Sequence, residues 1–159
     1  MNRPRVVLLL AAALICSAAG QRLRPVDETS YPQILTAQRG NLLVVDFWAT
    51  WCASCREEMP LVVQLAEKYR SRGLRLVTVS CDEPEQEGEA LKFLDEHKAP
   101  EPRYLKKASD DEKFINFIDR KWSGALPALF LYGRDGRLVR SFFAETDMVE
   151  LEKTIREMR

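Results

Sequence analysis

Residues 42–60 read LLVVDFWATWCASCREEMP, and this stretch decides the fold. Its first seven residues are apolar apart from Asp46 and rich in β-branched and aromatic side chains, which predicts a strand buried on both faces. From Cys52 the pattern becomes helical and continues until Gly73 ends it. Cys52 and Cys55 therefore lie where a buried strand passes into the first turn of a helix.

The segments on either side of this stretch alternate between helical and extended patterns. Helices are predicted over about 30–40, 52–72, 84–97, 110–121 and 146–158, and strands over 42–48, 74–80, 126–132 and 137–143, with a short extended piece over 103–105. Strands separated by helices pair in parallel through right-handed crossovers, whereas the turn at 133–136 joins an antiparallel pair. We therefore expect one α/β domain over 30–159, with a mixed central sheet, helices on both faces and a helical insertion before the strand at 126–132. Residues 21–29 are expected to be a loose lead-in.

Length and composition exclude several classes of protein. The chain has 159 residues, which corresponds to one domain, and it is 46% hydrophobic, as globular proteins are. Its 24 basic and 24 acidic residues leave no net charge, which argues against a nucleic-acid-binding protein. A single short apolar run excludes a membrane protein with several spans.

That apolar run lies at the N-terminus and has the pattern of a secretory signal peptide. Arg3 and Arg5 precede an unbroken apolar segment over 6–15, and small residues follow at 17–20. The run is about half the length of roughly 20 residues that a spanning helix needs. We therefore predict a signal peptide over 1–20 and export to the periplasm or another extracytoplasmic space. The alternative is an uncleaved anchor that tethers the domain to a membrane.

Cys52 and Cys55 are spaced to lie on one helical turn and to form a redox-active disulfide. The helix N-terminus offers unpaired N–H groups and a positive dipole potential, which stabilise a thiolate. We expect Cys52 to be the attacking nucleophile and Cys55 the resolving thiol. Cys81 is then left over, and we expect it to be buried and unreactive, with a third redox thiol as the alternative. A closed zinc site would need all three cysteines and His97, so neither a metal nor a cofactor is expected.

The stretch quoted above resembles the active site of TlpA/ResA-like thiol-disulfide oxidoreductases of the thioredoxin superfamily. Residues 123–136, SGALPALFLYGRDG, resemble the cis-proline strand and hairpin of the same family. The resemblance covers about 30–159 and implies a thioredoxin fold. It implies that Pro127 is a cis-proline facing the disulfide, that Leu126 offers backbone groups to a substrate, and that Trp51 covers the active-site surface.

Two acidic residues near the cysteines are candidate proton carriers. Asp46 is expected to be buried without a partner, which raises the pKa of a carboxyl group and lets it move protons during exchange. It matches the buried acid of thioredoxin, although many TlpA-type proteins carry another residue there; the alternative is an edge position paired with a lysine. Glu58 matches the active-site acid of ResA-type proteins, and the alternative is a solvated helix residue like Glu57.

The resemblance implies thiol-disulfide exchange outside the cytoplasm, in the direction of reducing protein disulfides, including those of cytochrome c precursors. The expected partners are disulfide-bearing substrate proteins and a membrane-embedded thiol electron donor, with no nucleic acid, and the chain is expected to be a monomer. A DsbA-like oxidant is less favoured, because the dipeptide 53–54 lacks a histidine. Two other classes stay open: a binding module with a static disulfide, and a copper carrier that uses Cys52, Cys55 and Met59.

Overall fold

A computed structural model of the protein describes residues 22–158, so the predicted signal peptide over 1–20 lies outside the described residues. The strands are β1 (Arg24–Val26), β2 (Leu42–Trp48), β3 (Leu74–Ser80), β4 (Arg103–Lys106), β5 (Ala128–Tyr132) and β6 (Leu138–Phe143). The helices are α1 (Tyr31–Ala37), α2 (Ala53–Lys68), α3 (Glu87–Glu96), α4 (Asp111–Ile118) and α5 (Met148–Glu157). None of these helices combines the length and apolar character needed to cross a bilayer.

The strands form one mixed sheet in the order β1-β4-β3-β2-β5-β6. β2 pairs in parallel with β3 and antiparallel with β5, and β5 pairs antiparallel with β6. β2 and β3 have the bounds that the sequence predicts. Every residue of β2 is buried, because helices cover both faces of the sheet at its centre.

The two faces of β2 belong to different parts of the core. Leu43, Val45 and Phe47 pack with α1 and α4, whereas Leu42 and Val44 pack with α2 and α5. At the end of β2, Trp48 joins a third cluster that contains both active-site cysteines and residues of α3. The last residues of β2 are thus packed on both faces of the sheet, directly before the cysteines.

The segment expected to be a loose lead-in is ordered instead. β1 pairs in parallel with β4, with Arg24 opposite Tyr104 and Val26 opposite Lys106. Leu23 and Val26 are buried. The expectation for 21–29 is wrong here because three residues are too few to show a strand periodicity. The short extended piece predicted at 103–105 is confirmed as β4, which lies between α3 and α4 and pairs with β3 and β1 in the main sheet.

Three helices end earlier than the sequence predicts, and the first of them, α1, ends at Ala37 and not near Gly40. α4 ends at Ile118 because Asp119 turns to an extended backbone with φ −157° and ψ 120°. α2 ends at Lys68 and passes through a 3-10 turn at Arg70–Arg72. Gly73 closes that turn with a left-handed φ of 86°, which favours glycine.

The two edges of the sheet are both irregular. β1 at one edge is three residues long. β6 at the other edge has a register shift opposite Leu131 and Tyr132 of β5. The first residues of β6, including Arg140, are exposed.

Candidate active site

Cys52 and Cys55 lie at the first turn of α2, as the sequence predicts. A tight turn over 49–52 follows β2 and is closed by a hydrogen bond from Cys52 N to Ala49 O of 3.2 Å. Cys52 is the N-cap residue of α2, with an extended backbone at φ −89° and ψ 104°. The sulfur atoms of Cys52 and Cys55 are joined in a disulfide, and their Cα atoms lie 5.3 Å apart.

The two cysteines differ in their access to solvent. Cys52 is 8% exposed, whereas Cys55, one turn along α2, is 1% exposed. Cys52 Sγ accepts a hydrogen bond of 3.3 Å from Cys55 N and lies 3.6 Å from Ser54 Oγ. In the reduced protein these donors and the helix N-terminus stabilise a thiolate at Cys52. The geometry therefore favours Cys52 for attack from outside and Cys55 for attack from within.

Asp46 is a buried carboxyl group in the middle of the sheet. It lies opposite Thr78 of β3 and Leu129 of β5, is 2% exposed, and has no hydrogen-bond partner for its Oδ1 atom. Burial raises the pKa of Asp46 well above its ordinary value, and the nearby charge of Glu58 raises it further. The alternative of an edge position is wrong, because β2 lies between β3 and β5.

Glu58 ties α2 to the segment before α5. Its Oε2 atom accepts a 3.1 Å hydrogen bond from Thr146 N, and its Oε1 atom accepts one of 2.6 Å from Thr146 Oγ1. Glu58 is therefore not a freely solvated helix residue like Glu57, which is exposed. Side chains alternate between the two faces along β2, so Asp46 lies on the same face as Leu42 and Val44, the face of the sheet that α2 covers.

Aromatic and apolar groups lie around the disulfide. Trp51 is 64% exposed next to Cys52, whereas Trp48 is fully buried and stacks on Phe93 with ring centroids 5.1 Å apart. The peptide bond between Leu126 and Pro127 is cis. Leu126 packs against the core cluster that contains Cys52 and Cys55.

Cys81 is not brought together with the other two cysteines. It packs against the core cluster on the opposite face of the sheet from Cys52 and Cys55. Cys81 is half-buried as a residue, and burial of its thiol raises the pKa of that thiol to about 12. Within 22–158, no group of three or more His, Cys, Asp or Glu side chains is arranged to hold a metal ion. His97 is the C-cap residue of α3 and stacks on Phe93 with ring centroids 4.4 Å apart.

One buried acidic residue beside the site, Asp82, is not predicted from the sequence. It follows β3, is 2% exposed, and accepts hydrogen bonds from Thr50 in the turn that leads to Cys52. Asp82 stands in a polar stretch that is typical of a loop, and its partner Thr50 is 32 residues away. Only the parallel pairing of β2 with β3 could have indicated that the ends of these strands meet.

Comparison with known proteins agrees with this geometry. The model of the AhpC/TSA family matches residues 23–141. The chain belongs to the AhpC/TSA family. That family assignment covers β1 through most of β6 and so includes the whole candidate site.

Individual relatives of this AhpC/TSA-family chain carry names from thiol-disulfide chemistry. The thiol-disulfide oxidoreductase ResA of Bacillus cereus is 30% identical over 115 residues, 72% of this chain and 61% of the relative. ResA of Bacillus anthracis is 27% identical over 121 residues, 76% of this chain and 65% of the relative. The chain thus spans a little less than two thirds of the length of these curated relatives, and the expected similarity to ResA is confirmed.

Solved structures confirm the thioredoxin fold. The crystal structure of a thiol:disulfide interchange protein DsbE from Chlorobium tepidum matches with a TM-score of 0.63 and 27% identity, covering 77% of this chain and 82% of that one. A DsbF homologue from Corynebacterium diphtheriae matches with a TM-score of 0.66 and 17% identity over 78% of this chain and 76% of that one, which shows the fold alone.

Proposed function

We propose that the chain is a thiol-disulfide oxidoreductase that reduces disulfides of proteins outside the cytoplasm. One observation carries the proposal: the more accessible Cys52 caps the N-terminus of α2, and the buried Cys55 follows one turn later on the helix that Asp46 faces. This arrangement separates an outward-facing nucleophile from an inward-facing resolving thiol and places a proton carrier on the inner side.

The reaction begins from the reduced pair. The Cys52 thiolate attacks one sulfur of a substrate disulfide, forms a mixed disulfide and releases the other substrate sulfur as a thiolate. The ionised form of Asp46 then takes the proton of Cys55, and the Cys55 thiolate attacks the Cys52 sulfur. The Cys52–Cys55 disulfide forms, and the second substrate sulfur leaves as a thiolate that takes a proton from solvent. The product is the oxidised pair that the structure contains.

Asp46 suits the proton transfer because of its burial. A carboxylate with an ordinary pKa would be fully ionised at neutral pH but too weak a base to take the proton of a thiol. Burial raises the pKa of Asp46 toward the range where it can accept a proton from Cys55 and release it later. Glu58, fixed by Thr146 on α2, adds a negative charge that strengthens this effect.

The substrate would lie across the surface formed by Trp51, Leu126 and Pro127. Trp51 offers a large exposed aromatic face beside Cys52. The backbone of Leu126, before the cis bond to Pro127, offers polar groups to an extended peptide. Such contacts are sequence-tolerant, which suits substrate proteins that differ around their disulfides, cytochrome c precursors among them.

Continued reduction needs an external electron source, which we propose to be a membrane-embedded thiol relay that reduces the Cys52–Cys55 disulfide. The pattern over 1–20 supports export, either as a free monomer or tethered by an uncleaved N-terminus. No further cofactor is required, because the reduced Cys52–Cys55 pair itself carries both electrons.

The reduction potential of the pair tests this function. The Cys81→Ser variant, equilibrated with glutathione or dithiothreitol, should show a two-electron couple at or below about −240 mV, as reductases do. A value above about −150 mV would assign the opposite direction, that of an oxidant. If no couple titrates, the pair is a static disulfide of a binding module. Copper titration of the reduced protein then tests the alternative of a copper carrier that uses Met59 together with the two cysteines. Cys52→Ser is the inactive control.

A further inference from the structure

Asp82 is a buried carboxylate beside the active-site turn, and the reaction proposed above does not use it. Thr50 N donates to its Oδ1 and Oδ2 atoms at 2.9 and 3.1 Å, and Thr50 Oγ1 donates to Oδ1 at 2.6 Å. Ser80 Oγ donates to Oδ2 at 2.7 Å. Every one of these partners is a donor, so Asp82 acts only as an acceptor, as a carboxylate does.

These hydrogen bonds join two neighbouring strand ends. Asp82 follows β3, and Thr50 lies in the turn that follows β2 and is closed by the bond from Cys52 N to Ala49 O. Hydrogen bonds to an ionised acceptor are shorter and stronger than neutral ones, so they hold Thr50 firmly. Asp82 therefore fixes the turn at a point two residues before Cys52.

We propose that Asp82 is a positioning residue for the Cys52 thiolate and that it acts through its hydrogen bond with the Thr50 hydroxyl group, the one Thr50 bond that a valine would remove. The proposal rests on the thiol chemistry at Cys52 that is proposed above. With the turn fixed, Cys52 Sγ stays within 3.3 Å of Cys55 N at the start of α2, where the thiolate is stabilised. Displacements of about 1 Å at a reacting group cost up to about 100-fold in rate, so a looser turn weakens the nucleophile.

Thr50→Val is the principal test, because valine keeps the shape of threonine and leaves the charge of Asp82 in place. The probe is iodoacetamide, and mass spectrometry of the reduced protein reports alkylation at Cys52 across a range of pH. We expect Thr50→Val to slow alkylation at pH 6 about fivefold and to raise the pH midpoint of the reaction. Thr50→Ser, which keeps the hydroxyl group, should restore alkylation to within about twofold of the wild type.

A second comparison asks whether Asp82 is the group through which Thr50 acts. In an Asp82→Ala background, Thr50→Val should have no further effect on alkylation. Asp27→Ala is the matched control, because Asp27 also accepts hydrogen bonds from a threonine and a serine, Thr29 and Ser30. Since β4 and β3 separate β1 from β2, Thr50→Val should keep its full effect in the Asp27→Ala background.

Three results would overturn the proposal. The first is a Thr50→Val protein that alkylates within twofold of the wild type with an unchanged pH midpoint. The second is an equal loss in Thr50→Ser, and the third is an undiminished effect of Thr50→Val when Asp82 is alanine. If Asp82→Ala does not fold, the valine and serine variants still decide. Alkylation needs no protein substrate, so failure of disulfide reduction would leave this result unchanged.

Discussion

Replacing Asp46 by asparagine should make the protein more stable than the wild type by a margin that grows as pH rises. Asp46 lies in β2 at 2% exposure with Oδ1 unpartnered, and its pKa is raised well above the ordinary value, chiefly by burial and then by the charge of Glu58. An asparagine side chain has nearly the same shape as that of aspartate and does not titrate. The substitution therefore isolates the effect on the free energy of unfolding of burying one titratable carboxyl group away from water.

The sign follows from the two states of the protein. Below about pH 4 the carboxyl group is protonated in both the folded and the unfolded chain, so its titration contributes nothing. Above that pH the unfolded chain ionises while the folded chain keeps its proton, which favours unfolding. The wild type therefore loses about 1.4 kcal/mol relative to Asp46→Asn for each pH unit, until the folded pKa is reached. A constant offset from burying the amide does not change this slope.

Urea unfolding of the oxidised proteins at intervals from pH 4 to pH 7 measures the difference. Asp27→Asn is a control of opposite sign, because hydrogen bonds from Ser30 and Thr29 lower the pKa of Asp27 to about 2. The ionised Asp27 carboxylate stabilises the folded chain fully at pH values above the pKa that Asp27 has in the unfolded chain. This stabilisation is lost as pH falls through about 2. Asp27→Asn should therefore be less stable than the wild type from pH 4 upward. A difference between Asp46→Asn and the wild type that stays flat with pH would refute the reasoning.

Three shorter predictions concern the other cysteines and a buried tyrosine pair. Cys55→Ser should accumulate a mixed disulfide between Cys52 and a substrate protein on non-reducing gels, because the resolving thiol is gone; rapid release of the substrate would contradict the assignment. Cys81, with a pKa raised to about 12 by burial, should react with iodoacetamide at pH 8 about a thousandfold more slowly in the native than in the unfolded protein. Equal rates would show that its thiol is open to solvent. Tyr31→Phe removes the 2.9 Å hydrogen bond to Tyr132 and leaves that hydroxyl buried, so the free energy of unfolding should fall by about 1–3 kcal/mol. Changing both tyrosines to phenylalanine should cost less than the sum of the single changes, and strict additivity would argue against the bond.

The centre of the fold could be predicted from the sequence because its signals are local and strong. β2 and β3 are continuous runs of β-branched and apolar residues, and burial on both faces requires that pattern. Cys52 and Cys55 could be placed at the start of α2 for the same reason: the strand ends and the helical periodicity begins within a few residues. Asp46 could be predicted as a candidate site residue because its carboxyl group interrupts an apolar strand pattern.

The parts that could not be predicted depend on contacts between distant segments. β1 has only three residues, and its pairing with β4 joins positions that are far apart in the sequence, such as Arg24 and Tyr104. Asp82 shows no local sign of burial, because its partner Thr50 belongs to another strand end. Hydrogen bonds of this kind depend on the order of the strands in the sheet. That order cannot be inferred from the hydrophobic periodicity of single segments.

The irregular edges of the sheet bear on the proposed exchange with substrate proteins. A straight, fully exposed edge strand offers a row of free backbone N–H and C=O groups that captures any extended chain. Here β1 is too short to serve as such a template, and β6 is distorted where it meets Leu131 and Tyr132 and carries the exposed Arg140. Twisted and charged edges resist the addition of a further strand. Under the function proposed above, an extended substrate chain would therefore find no free strand to pair with at the edges of the sheet and would leave once its disulfide has been exchanged at Cys52.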